Sequence, residues 1–315
     1  MTKPLTTRQF FATFPDDEAC LAHLFNVRFG TDHKCAKCST VGRWYRIKAE
    51  RAYSCGKCGD HLHPTVGTPF EQTRTPLQLW FYAIHLFTTT RHGVSAKELQ
   101  RQLGVTYKTA WRMGHEIRKH MADVDGEAMI GGEGKAVEVD ETYVGGKESN
   151  KHRNKRAAKM DVFGAKEAVL TLVERDGQAR SFHVANVTAK TLRPLVTQNV
   201  HRSSDLMTDG ARFYRYLGRE FASHEAVDHS GGEYVRGSAH SNTVENFFSI
   251  LKRGINGTFI HVSEAHLARY LAEFDFRYNH RAGLGVDDTA RTDELLRNVA
   301  GKRLTYRRPS EGAHA

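Results

Sequence analysis

Residues 136–144 read Ala-Val-Glu-Val-Asp-Glu-Thr-Tyr-Val, and the valines at 137 and 139 alternate with acids as in a half-buried strand. Two further apolar runs, 168–174 and 179–184, flank Asp176-Gly177, the signal of a hairpin turn. Downstream the pattern predicts a helix over 188–199, a strand over 205–208, a helix over 212–221 and a short strand over 224–228. Val244, Phe247, Phe248, Leu251 and Ile255 then return at helical spacing. A meander followed by alternating helices and strands predicts an α/β domain, a mixed sheet flanked by helices.

Upstream, residues 93–121 predict two helices joined by a glycine turn. Ser95 and Glu98 have capping-box spacing and open a helix that carries Leu99 and Leu103 on one face. Gly104 ends it, Val105 fills the corner, and Thr106 caps a second helix burying Ala110, Met113 and Ile117. This is the outline of a helix-turn-helix, whose second helix would turn Tyr107, Lys108, Arg112 and Arg118 outward toward bases or phosphates. A plain helical hairpin in a basic protein has the same outline. Trp111 is expected to pack. Gln100 stands where such units usually place a small residue.

Four of the five cysteines form Cys35-x-x-Cys38 and Cys55-x-x-Cys58, separated by 16 residues, the spacing of a four-cysteine zinc ribbon. One structural Zn2+ with all four positions filled leaves none for catalysis. Cys20 precedes Leu21, Leu24 and Phe25 at helical spacing and reads as a buried thiol. His33, His61 and His63 flank the ribbon and are expected to be surface residues.

Charge narrows the partner. The 315 residues hold 46 Lys and Arg against 36 Asp and Glu, a net charge of +10, which suits a polyanion such as nucleic acid. Lys151, Arg153, Lys155, Arg156 and Lys159 cluster after the first acidic strand, and Lys302, Arg303, Arg307 and Arg308 form a basic tail. The first residues lack the apolar core of a secretory signal, and the run Leu79–Phe87 is too short to cross a bilayer. A soluble, cytoplasmic protein without membrane partners is expected.

Three acids carry the chemistry. Asp140 lies on the first strand, Asp209 closes a strand before Gly210, and Glu245 lies on the late helix, with 35 residues between it and Asp209. Converging carboxylates at such positions suit two Mg2+ or Mn2+ ions and phosphoryl transfer. Taken singly, they also read as a solvated strand acid, a turn former and part of a capping box begun by Asn242. Glu138 shares a strand face with Asp140 and is expected either to support it or to face solvent, while Glu141 should point away.

The succession resembles the RNase H-like fold. The segments Val137–Gly146, Thr208-Asp209-Gly210, His240–Gly254 and Phe276–Arg281, with the cysteine pairs and Tyr107–Arg112, resemble ISXO-type insertion-sequence transposases. That resemblance implies a zinc ribbon and helix-turn-helix ahead of an RNase H-like DDE domain, with Asp140, Asp209 and Glu245 binding two divalent ions. It implies water-driven cleavage at transposon ends, then attack of the freed 3′-hydroxyl on target DNA. The partners would be double-stranded DNA and a second copy or more of the chain. Charge clustering adds Lys147, Lys151, Arg153, Lys155, Arg156, Lys252 and Arg253 as phosphate contacts. The expected domains are 1–75 (helix plus ribbon), 76–125 (helix-turn-helix), 130–290 (catalytic) and 291–315 (tail). A DNA-binding regulator with an inactive body and a structure-specific nuclease are the alternatives.

Overall fold

The structure, a computed structural model, describes residues 6–146, 152, 166–211, 214–227, 232–233, 235–297 and 299. In chain order the elements begin with α1 (Thr7–Thr13), α2 (Asp17–Phe29), β1 (Trp44–Ile47), β2 (Ala52–Cys55) and β3 (His61–Leu62). There follow α3 (Leu77–Thr89), α4 (Ala96–Leu103), α5 (Tyr107–Asp125), β4 (Ala136–Val144), β5 (Glu167–Glu174) and β6 (Ala179–Val184). Then come α6 (Ala189–Asn199), β7 (Asp205–Asp209), α7 (Tyr214–Gly218), β8 (Ser223–Val227), α8 (Asn242–Gly254), α9 (Glu264–Asn279) and α10 (Asp288–Arg297). The described residues form two compact units, one drawn from the stretches 1–89, 96–120 and 287–315, the other from 90–95 and 121–286. Among the described residues no helix is long and apolar enough to cross a membrane.

In the first unit β1, β2 and β3 make a small antiparallel sheet carrying the cysteines. Asp16 caps α2 by accepting from Ala19 N at 2.8 Å. The helix α3 is apolar around most of its circumference, and Leu77, Trp80, Phe81 and Phe87 are all but inaccessible. The turn between α4 and α5 follows the sequence: Gly104 has φ +64°, and Thr106 Oγ1 accepts from Thr109 N at 3.2 Å. The stretch expected to begin a basic tail at 291 instead belongs to α10. Leu295 and Leu296 are fully buried there, and the Thr88 and Thr292 hydroxyls meet at 2.8 Å. A helix with a buried apolar face cannot also behave as a solvated tail.

The second unit is built on a five-stranded sheet of order β6-β5-β4-β7-β8. β4, β5 and β6 are antiparallel neighbours, whereas β7 and β8 run parallel to β4. This topology, a meander extended by two parallel strands with helices on the sheet, is RNase H-like. One face, with Val137, Val139, Leu170 and Leu206, packs with Leu192, Val196, Tyr214 and Leu217 from α6 and α7. The other face, with Val144, Val169 and Val173, packs with Val244, Phe247, Phe248 and Leu251 of α8 and Leu267, Leu271 and Phe274 of α9. The central strand β4 is therefore covered on both sides rather than half-buried as its alternation suggested. On its second face Glu138 is fully buried, whereas Asp140 is only partly covered.

Candidate active site

Register brings the first two acids together. Val139 pairs with Thr208 in the parallel ladder, so Asp140 and Asp209 are the next residues along adjacent strands and, by alternation, share one face of the sheet. Glu245 lies in the first turn of α8. Asp140, Glu245, Phe248, Ser249 and Lys252 line one cleft of about 330 Å3. Burial pushes the Asp140 carboxyl up to about 7, and the charges of Glu141, Asp209 and Glu245 add to the push, against a backbone hydrogen bond from Glu141. Such a group favours a cation, which removes the repulsion. The donor set, all carboxylate oxygen, fits hard divalent ions.

Glu141 does point to the opposite face, as alternation requires, and accepts from the Tyr214 hydroxyl at 2.7 Å. Its carboxyl is raised, chiefly by burial. Glu138 does not face solvent. It is fully buried and bonded to Arg175 and to the start of α8. Of the two expected positions it takes the supporting one, and its partners, 37 and 105 residues away, leave no local pattern. Nor is Glu245 held by Asn242: the N-cap is Ser241, whose Oγ lies 3.3 Å from Glu245 Oε1.

The four cysteines close as the spacing predicts. Their ligand atoms lie within 4.8 Å of one another, with Cys35 Sγ to Cys58 Sγ at 3.6 Å and Cys38 Sγ to Cys55 Sγ at 3.8 Å. A tetrahedral site with Zn–S bonds of about 2.3 Å has edges of about 3.8 Å, so the donors fit zinc. Cys20 is inaccessible, and burial followed by Asp17 and Asp16 pushes its thiol up to about 12, which makes it inert.

The expected DNA-contacting residues divide. Tyr107 is 46% exposed, with the Lys97 ammonium 5.0 Å from its ring centre, and Lys108 is exposed beside it. Arg112 is half-buried. Arg118, expected to face outward, is instead 2% exposed, with its guanidinium over Phe87 at 5.1 Å. At about 100° per residue it sits roughly 80° around α5 from Lys108, far enough to turn it into the core. Lys252 and Arg253 are exposed after Glu245, and Lys252 reaches the acid cleft. Lys147, Lys151, Arg153, Lys155, Arg156 and Lys159 lie outside the described residues, as do Lys302, Arg303, Arg307 and Arg308. The segment 277–281 packs: Asn279 bonds Ala179 N at 2.6 Å, and Arg281 donates to Gly177 O at 2.8 Å.

The family described as ISXO2-like transposase domain matches residues 130–279, and the transposase zinc-ribbon domain matches residues 15–61. An uncharacterized protein in transposable element ISH50 of Halobacterium salinarum is 28% identical over 277 residues, covering 84% of this chain and 92% of that one. An uncharacterized transposase-like protein of Haemophilus influenzae is 30% identical over 97 residues, 31% of this chain and 77% of that one. The Mos1 strand transfer complex aligns at 11% identity and TM-score 0.20, over 65% of this chain and 77% of that one, too distantly to bear on the site. The catalytic-domain and ribbon matches fall on the two regions that the sheet and the cysteines define, and the chain belongs to the ISXO2-like transposase family.

Proposed function

We propose that this transposase cleaves the ends of an insertion sequence and joins their 3′-hydroxyls to target DNA, with Asp140, Asp209 and Glu245 holding two Mg2+ or Mn2+ ions. The observation that carries the reading is the β4–β7 register, which sets Asp140 beside Asp209 on the face covered by the helix of Glu245. Two such ions, when bound, activate the attacking oxygen and stabilise the leaving one. The protein's own part is to carry the three carboxylates on two strands and one helix. Lys252 at the cleft and Arg253 beside it neutralise backbone phosphates.

Hydrolysis breaks a phosphodiester at the element end and leaves a 3′-hydroxyl. In the second step that hydroxyl attacks a target phosphorus, one P–O bond forms as another breaks, and no energy source is consumed. The α4–α5 unit, through Tyr107, Lys108 and Arg112, holds the end DNA, and the basic residues 147–156 extend the contact. The ribbon carries one structural Zn2+. Two ends must be joined together, so the working form is at least a dimer on DNA, in the cytoplasm. Incubating terminal DNA and a supercoiled target with the protein and Mg2+ or Mn2+ tests this: end cleavage and joined products support it, and binding without either contradicts it.

A further inference from the structure

We infer that Glu138 and Arg175 are positioning residues that set the separation of Asp140 and Glu245, an inference that rests on the two-ion reading of those acids. Glu138 is a carboxylate with 0% exposure, a costly arrangement unless its oxygens are fully partnered. They are. Arg175 Nε donates to Oε1 at 2.6 Å, Thr243 Oγ1 donates to the same oxygen at 2.8 Å, and the amides of Thr243 and Val244 donate to Oε2 at 2.8 and 3.0 Å. His240 Nδ1 lies 3.2 Å from Oε1.

The first amides of a helix need acceptors, and ordinarily the N-cap side chain supplies one. In α8 the N-cap Ser241 makes no side-chain cap bond. A strand carboxylate takes that place, and the helix dipole adds to its hold. The Ser241 hydroxyl is directed to Glu245 Oε1 instead, at 3.3 Å. Arg175 completes the clamp by donating to Ser238 O and His240 O, each at 2.8 Å, while its own amide donates to Ala136 O at 3.0 Å. The segment entering α8 and the first turn of α8 are thus both tied to β4.

The geometry makes this pair more than a stability device. Glu138 and Asp140 are two residues apart on one strand face, about 6–7 Å. Thr243 and Glu245 are two residues apart on α8, a rise of about 3 Å. One carboxylate therefore fixes the height of α8 against β4 beside the very residues that must converge. Arg175 neutralises Glu138, so the clamp adds little negative charge to the acid cleft, which distinguishes it from a fourth ion ligand.

The test is Mn2+ binding by the zinc-loaded full chain, followed by electron paramagnetic resonance, alongside end-cleavage kinetics and hydrogen exchange. The variants are Glu138→Gln, Arg175→Lys and Thr243→Val, with Asp140→Asn as the control for the site itself. Glu138→Gln and Arg175→Lys should weaken Mn2+ binding by about 10- to 100-fold, with kcat falling, the affinity for terminal DNA unchanged and the amides of Thr243 and Val244 exchanging faster. Thr243→Val, which removes one hydroxyl donor and keeps the shape, should show a smaller loss of the same kind. Folded Glu138→Gln with wild-type Mn2+ affinity and kcat, beside an Asp140→Asn variant that loses the ion, would overturn the positioning role and leave the two-ion site standing. Unchanged Mn2+ binding in Asp140→Asn would overturn both. Should Glu138→Gln fail to fold, Thr243→Val decides: wild-type Mn2+ affinity there refutes the inference.

Discussion

Asp140 and Asp209 occupy matched positions on adjacent parallel strands, one step beyond the Val139–Thr208 pair. The site has a cost as well as a use, set first by the burial of Asp140 and then by the charges of Glu141, Asp209 and Glu245 around it. With its folded pKa raised to about 7, Asp140 favours folding in its protonated form, so its contribution is present below the ordinary carboxylate range and is lost as pH rises through 7. Asp140→Asn should therefore raise stability at pH 8 by on the order of 1 kcal/mol or more while end cleavage disappears. Thermal melts of both proteins at pH 5 and pH 8, without divalent ions, check it: the gap should open at the higher pH.

Arg118 and Lys108 should behave oppositely. Arg118 is buried against Phe87, so Arg118→Ala should cost about 1–3 kcal/mol of stability and affect DNA binding only through folding. Lys108 is exposed, and Lys108→Ala should keep the wild-type melting temperature while weakening terminal DNA binding and flattening its salt dependence by about one ion. Fluorescence anisotropy at several salt concentrations separates the two.

That contrast marks what could be read from the chain and what could not. Period-two alternation and the Asp176-Gly177 turn predicted β4, β5 and β6 nearly to the residue, and the Gly104 and Thr106 signals bounded α4 and α5. Local pattern suffices where an element's limits are set by its own turns and caps. Alternation placed Glu138 beside Asp140, but it could not reveal the partners of Glu138, because α8 returns over β4 more than a hundred residues later. Arg118 failed for a related reason: basic residues on a helix suggest solvent, but a guanidinium stacks well on a buried ring. Residues 288–297 carry charged residues between Leu295 and Leu296 and the start of the segment, so their apolar face shows only where those leucines are buried.

Removing zinc should act locally. The cysteines join short strands with little apolar core of their own, and sites of this type contribute on the order of 10–16 kcal/mol to folding. Chelation, or Cys55→Ser, should expose the amides of β1, β2 and β3 to rapid exchange, while β4 and β5 in the second unit keep their protection. Hydrogen exchange with mass detection reads both in one experiment.

A second buried acid gives a pH signature apart from the acid cleft. Burial, then the charge of Asp275, pushes Asp125 up to about 8, opposed by Asn279 and Arg180, and His280 Nδ1 lies 3.5 Å from its Oδ1. Its raised pKa means that stability is present at low pH and lost as pH rises through 8. Asp125→Asn should stabilise the second unit above pH 8, by on the order of a few kcal/mol at most, and change little at pH 4. Urea unfolding at the two pH values checks it.

The acids of β4, β7 and α8 are proposed to perform DNA joining. The most direct measurement compares wild type with Asp209→Ala on labelled terminal DNA and a supercoiled target in Mg2+ or Mn2+, scoring cleaved ends and joined products. Wild type should show metal-dependent cleavage and joining and the variant neither, although the variant still binds the ends. Cleavage without joining, or joining that survives loss of Asp209, would contradict it.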